Sequence, residues 1–258
     1  MSMAPQESIL CIPGDWTDRH ALLERIIRDS DGYLCLGPLL MHMETKDKFE
    51  LQFEEFDTRM TSAFASAGRH WEGTDDMDRI ATHASVVYLI GEGGSRASAE
   101  RLMLAGEGLL KAGGLGVKVE SSGVAHSPRA WRGLVAARHL FGVHDAFVLY
   151  VRGAHVYSCG MHHFGLPEAM VDEADVDDAA ELLRTFTRYL LDENPTIRAG
   201  QTFATAADAP VFRIVEGVPI DYDADSLFRN PHGMWRLELI RPDVRPRKAA
   251  AWWRGMLN

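Results

Sequence analysis

Val176, Ala179, Ala180, Leu183, Phe186 and Leu190 recur at helical spacing in "DVDDAAELLRTFTRYLLDENP" and make one continuous apolar stripe. That spacing predicts a helix, with Asp175 placed to cap its start and Pro195 just beyond its end. The same period appears in "DWTDRHALLERIIRDS", where Leu22, Leu23, Ile26 and Ile27 share a face and Thr17 or Asp18 can cap. It returns in "SRASAERLMLAGEGLLKAGG", with Ser95 or Ser98 at the start and Gly113-Gly114 at the end, and in "SPRAWRGLVAARHLF", with Pro128 in its first turn. Shorter helices are predicted in "DTRMTSAFASAGR" and "MDRIATHA".

Strands show a different period. Phe49, Leu51 and Phe53 alternate with Glu50, Gln52 and Glu54, which turns one face of "KFELQFEEF" inward. "SVVYLIGEG" is a run of β-favouring apolar residues closed by glycine, the pattern of a buried strand. "SILCIPG", "GYLCLGPLLMHME" and "LGVKVESSG" read as further strands, "AFVLYVRGAHVYSCG" as two strands around an Arg152-Gly153 turn, and "TFATAADAPVFRIVEGVPI" as strands near the end. Strand and helix alternate through residue 143, which predicts a mixed sheet covered by helices. The expected class is α+β, with mixed β-sheets flanked by helices. Residues 1–143 and 144–258 form two halves, or one compact domain. Each half carries an Ala/Leu-rich helix ahead of a strand, as two related units would, although shared binary patterning gives the same echo.

Composition narrows the class. The 258 residues are 46% hydrophobic and 25% charged, ordinary for a soluble globular chain. No run of about 18 apolar residues exists to span a membrane, and "MSMAPQESILCIPG" does not read as a secretory signal. Cys11, Cys35 and Cys159 are scattered, as buried thiols of a reducing cytoplasm would be. The formal net charge is −10. Such a field disfavours nucleic acid; it suits a basic protein partner, or serves solubility alone. Acids cluster at 75–78 and 172–178, whereas "RPDVRPRKAAAWWRG" is basic and holds Trp252 and Trp253, which are expected to dock on the core.

Candidate chemistry concentrates in "GMHHFGLPE", residues 160–168. A metal site there would have to converge His162 and His163, which point to opposite faces of any strand, with Glu168 or with His126, His139, His144 or His155. A nucleophile would have to come from Cys159 near His162, since no GxSxG elbow exists. "GEGGSRAS" (91–98) follows a strand and precedes a helix, where open amides can hold an anion, but it lacks the third glycine of a dinucleotide loop and the GK[ST] ending of a triphosphate loop. An ordered turn demands less: Gly160 and Gly165 bend the chain, Pro167 fixes it, Met161 and Phe164 plug the core, and His162, His163 and a carboxylate cluster are displayed.

"CIPGDW", "GYLCLGPLL", "VKVESSGVAHSPRAW" and "YSCGMHHFGLPE" together resemble a bacterial family catalogued as domain-of-unknown-function 4261. The resemblance runs over most of residues 8–205, with "GM--FG-PE" its most specific mark and "AAELLRTFTRYLL" with "GQTFA" its C-terminal part; beyond about 206 the chain reads as an extension without a motif. The same corner is similar to Suppressor-of-fused-like domains, many of whose bacterial members are thought to be immunity proteins. The resemblance implies a soluble, cytoplasmic α/β protein and carries no catalytic residues.

The expectation is a protein-binding, immunity-type protein that occludes a secreted toxin or effector, itself basic, through an acidic face at His162, His163, Glu168, Asp172 and Glu173. No cofactor, metal or catalytic residue is expected. The alternatives are a small-ligand binder or hydrolase built on the His162/His163 corner, and an adaptor of a secretion apparatus.

Overall fold

The computed structural model describes residues 6–139, 141–223 and 225–241. They form two β-sheets and the helices that pack on them. The first sheet takes β1 (Glu7–Gly14), β2 (Tyr33–Leu36), β3 (Leu39–His42), β4 (Lys48–Glu55), β5 (Ser85–Glu92), β6 (Val117–Val119) and β7 (Ala125–His126), in the order β2-β3-β4-β5-β1-β6-β7. The second takes β8 (Leu149–Arg152), β9 (Val156–Cys159), β10 (Glu168–Val171), β11 (Thr202–Phe203), β12 (Phe212–Glu216) and β13 (Met234–Leu239), in the order β11-β12-β13-β10-β9-β8.

Every pairing in the first sheet is antiparallel, so the mixed sheet expected there is corrected. Alternation of strand and helix does not impose parallel neighbours: β1 and β2 are joined through a helix, yet three strands lie between them. The mixed sheet is the second, in which β10 runs parallel to β13 and its other neighbours are antiparallel. The α+β class stands, while the two sheets differ in order and direction.

The helices are α1 (Arg19–Asp29), α2 (Met60–Ala65), α3 (Asp75–Ala81), α4 (Arg96–Lys111), α5 (Pro128–Ala136), α6 (Gly142–Phe147) and α7 (Ala179–Glu193). Their starts follow local chemistry. Asp18, Thr74, Ser95, Ser127 and Asp178 each accept an otherwise unpaired amide of the first turn. The cap of α7 is therefore Asp178; Asp175 instead holds the Arg241 guanidinium at 2.9 Å. The acids at 75–78 open α3, where the positive end of the helix favours them.

One apolar core runs from Leu10 and Ile12 on β1, through Leu102, Met103 and Leu109 on α4, to Phe164, Val171, Phe186 and Leu237. It joins both sheets, with α4 touching β1, β5, α1, α5, α6 and the 161–164 turn. A second, smaller cluster of Cys11, Met60, Phe64, Trp71 and Ile80 lies where α2 and α3 cover the other face of β1 and β5. Trp252 and Trp253 lie outside the described residues.

Candidate functional site

Residues 160–167 connect β9 to β10. Gly160 turns the chain at φ 124°, Met161–Phe164 make one 3-10 turn, and Gly165 leaves it at φ 72°. The antiparallel return of β10 then brings Glu168 back to the amides that open the turn. Its Oε1 accepts N–H from Gly160 at 3.0 Å, from Met161 at 2.9 Å and from the Asn230 side chain at 3.0 Å, while Oε2 accepts the Ser158 hydroxyl at 2.6 Å. A buried carboxylate with four donors fixes a corner.

The two imidazoles lie inside this corner, 1% exposed for His162 and 0% for His163. His163 is hydrogen-bonded through Nδ1 to Ser8 Oγ at 2.6 Å and through Nε2 to Ser121 Oγ at 3.1 Å. Burial, reinforced by His162, pushes its pKa well below the ordinary imidazole value, so the ring is neutral and serves as one donor and one acceptor. His162 lies against it with ring centres 4.4 Å apart. Neither His162 nitrogen has a hydrogen-bond partner among the described residues; the nearest carboxylate oxygen, Glu168 Oε1, is 3.5 Å from Nδ1.

The expected display of His162, His163 and Glu168 is therefore corrected. Strand alternation would have sent one histidine outward, but a 3-10 turn wedged between two sheets covers both. Asp172 and Glu173 sit at the far end of β10, apart from the histidines. Asp172 accepts from His155 and from Arg236, the latter at 2.7 Å. Partial burial draws its carboxyl upward, and these two partners outweigh that and hold it below the usual range. Glu173 pairs with Arg152 at 2.7 Å. The acidic run thus spends much of its charge on ion pairs within the chain.

The other candidates resolve in place. Three amides around the start of α4 are occupied: Gly93 donates to Gln6 O at 2.6 Å, Gly94 to His163 O at 2.8 Å, and Ser98 to the Ser95 cap at 3.1 Å. Cys159 is buried, and burial followed by Glu168 drives its thiol far up, away from thiolate. His126 bonds to Ala146 O at 3.0 Å. His144 donates to Asp145 at 2.9 Å and meets Thr187 Oγ1 at 2.9 Å, forming a chain that ends at Tyr150 beside a cleft of about 560 Å3. Among the described residues, no group of three or more His, Cys, Asp or Glu side chains is placed to hold a metal ion.

What the sequence left unmarked is a cleft of about 860 Å3 on the outer side of Glu168. Tyr157, Ser158, Cys159 and Glu168 form one wall, and residues 218–223 and 228–231 form the other. Asn230 pins the latter stretch, donating to Leu166 O at 2.9 Å as well as to Glu168. Tyr222 stacks on Phe228 with centres 5.8 Å apart, and its hydroxyl is 3.4 Å from that of Tyr157. Asp221 and Asp223 are exposed at the cleft, and Val218 is 84% exposed at its edge. The only local signal was "VPIDYDADSLFRNP", apolar residues interspersed with prolines and acids without helical or strand period.

Residues 157–238 match the family model of a domain of unknown function, DUF4261. The match opens in β9 and closes in β13, so the matched segment contains the corner, α7 and every residue lining the cleft. It passes beyond residue 206, where the sequence read as an extension, and does not reach the stretches between 8 and 156 in which the resemblance was also seen. No curated protein and no solved structure shows a significant match to the chain. Among the described residues, no helix is long and apolar enough to cross a membrane.

Proposed function

We propose that this chain is a protein-binding, immunity-type antagonist that occludes a basic toxin or effector within the bacterial cytoplasm. The carrying observation is the cleft in the matched segment, walled by Tyr157, Tyr222 and Phe228 and fringed by Asp221 and Asp223. Aromatic anchors ringed by charge are what protein recognition uses, and a net charge of −10 speeds encounter with a basic partner. The corner residues expected at the interface take a supporting part, since Glu168 and His163 give their polar atoms to the chain itself. The similarity of "GM--FG-PE" to Suppressor-of-fused-like domains points the same way. The test is co-expression with the product of the adjacent gene, together with calorimetric titration of the two purified proteins. Rescue of growth with tight one-to-one binding is expected; lack of both overturns the reading.

A small-ligand reading is favoured by one observation, a cleft volume within the range of small-molecule sites. Melting curves with nucleotides and divalent cations test it, because a ligand bound only by the folded state must raise Tm.

A further inference from the structure

Two sets of acids within residues 157–238 differ in their partners. Asp172, Glu173 and Asp175 are each tied to an arginine of the chain. Asp221 and Asp223 are not: among the described residues neither side chain takes part in an ion pair or hydrogen bond, although both line the cleft. With Glu168 at the base, the cleft holds three carboxylates against the single guanidinium of Arg229. Its lining includes three aromatic rings, with Tyr222 and Phe228 stacked at an interplanar angle of 29° and Tyr157 meeting Tyr222 hydroxyl to hydroxyl, beside the aliphatic Val218, Ile220 and Met234.

Unpaired carboxylates beside aromatic faces select for a cation, and for one shape of cation above others. An aromatic face attracts positive charge through its quadrupole, and a guanidinium can stack on the ring while it donates in-plane to carboxylates. A lysine ammonium keeps its hydration more tightly and lacks the planar fork. An acidic anchor would be repelled by Asp221 and Asp223, and a neutral one would leave their charge uncompensated.

We infer that this cleft is an anchor site for an arginine side chain presented by the partner polypeptide, with Tyr222 and Phe228 as the stacking surface and Asp221 and Asp223 as the acceptors. The inference rests on the reading of the chain as a protein-binding antagonist and assigns the partner's chemistry at one site. Asn230 positions the wall at residues 228–231, since it holds that stretch to Leu166 and Glu168.

The test titrates the full chain with the peptide acetyl-Gly-Arg-Gly-amide and with the same peptide carrying citrulline, which keeps the shape and removes the charge. NMR shifts report the site. Shifts centred on Tyr157, Tyr222 and Gly233 are expected, with citrulline weaker by about tenfold. In the double variant D221N/D223N, whose two positions are exposed, the arginine peptide is expected to lose about the same factor with an unchanged Tm. Equal binding of the two peptides, shifts centred elsewhere, or no response to either peptide overturns the assignment. The double variant is also titrated with the adjacent gene's product. If that product binds the native chain and the variant equally, the anchor fails while the antagonist reading stands. If the product binds neither but the arginine peptide binds as expected, the antagonist reading fails and the cation site stands.

Discussion

The amide of Gly94 donates to the carbonyl of His163 at 2.8 Å. Through that bond the two glycine-rich stretches of the chain, "GEGGS" and "GMHHFG", meet back to back and join the first sheet to the second. Both had the composition of ligand loops, and here each occupies the other's backbone.

This junction sets a steric prediction. A Cβ on Gly165 would stand 2.6 Å from Gly94 O, and one on Gly160 would stand 2.1 Å from Phe147 O, both at positive φ. Gly165→Ala and Gly160→Ala should each cost about 3 kcal/mol or more, since backbone on both sides must yield. Gly37 also has positive φ, at 63°, but nothing lies within 4 Å of its Cβ position. Gly37→Ala should cost only the backbone term, about 1 kcal/mol. Urea midpoints rank the three; equal costs would contradict the packed junction.

Glu168 gives a second prediction. Glu168→Gln keeps one acceptor oxygen but turns an amide donor toward a donor, and should cost about 2 kcal/mol; Glu168→Ala leaves two buried amides unpaired and should cost about 4 kcal/mol. Hydrogen exchange at Gly160 and Met161 should speed up in both variants ahead of the β1 and β5 amides. Unchanged protection at those two positions would remove Glu168 from its role.

How much of this was legible follows from range. The stripe of α7 and the alternation of β4 are local, and Phe49 and Leu51 are buried as the spacing predicts. The cap of α7 was misplaced by one turn because "DEADVDD" offers several equivalent acids, and only the bond from Glu181 N to Asp178 decides between them. The turn at 160–165 was legible from its glycines, but not its burial, which depends on Ser8, Gly94 and Ser121, far away in sequence. The cleft wall at 218–223 and 228–231 has no period at all; Asn230 holds the second of these stretches through side-chain bonds that no local pattern encodes.

The adjacent histidines should separate under mutation. His163→Leu strands the buried hydroxyls of Ser8 and Ser121 and should cost about 2–4 kcal/mol. His162→Leu removes two buried nitrogens that have no hydrogen-bond partner among the described residues, and should change stability by less than about 1 kcal/mol in either direction. Thermal and urea unfolding of the pair would settle the order. A larger loss at His162 would mean that its nitrogens are bonded in solution.

Acid sensitivity follows from the same burial. His163 is pushed well below its ordinary value by desolvation and by His162; His126 and His144 are lowered too, by desolvation first, with Asp145 opposing in both cases. Above a pH of about 6.5, these rings are neutral in folded and unfolded chains alike and contribute no pH dependence. Below it the unfolded chain binds protons that the folded chain refuses, so stability falls as pH falls. Each such ring contributes a slope of up to about 1.4 kcal/mol per pH unit until its own folded pKa is reached. Tm should therefore hold steady from pH 8 to 7 and drop steeply between about pH 6 and 5. His163→Asn keeps a polar side chain there and cannot titrate, so its curve should start lower and fall less steeply across that window. A variant curve parallel to the native one would exclude His163 as a source of the acid loss.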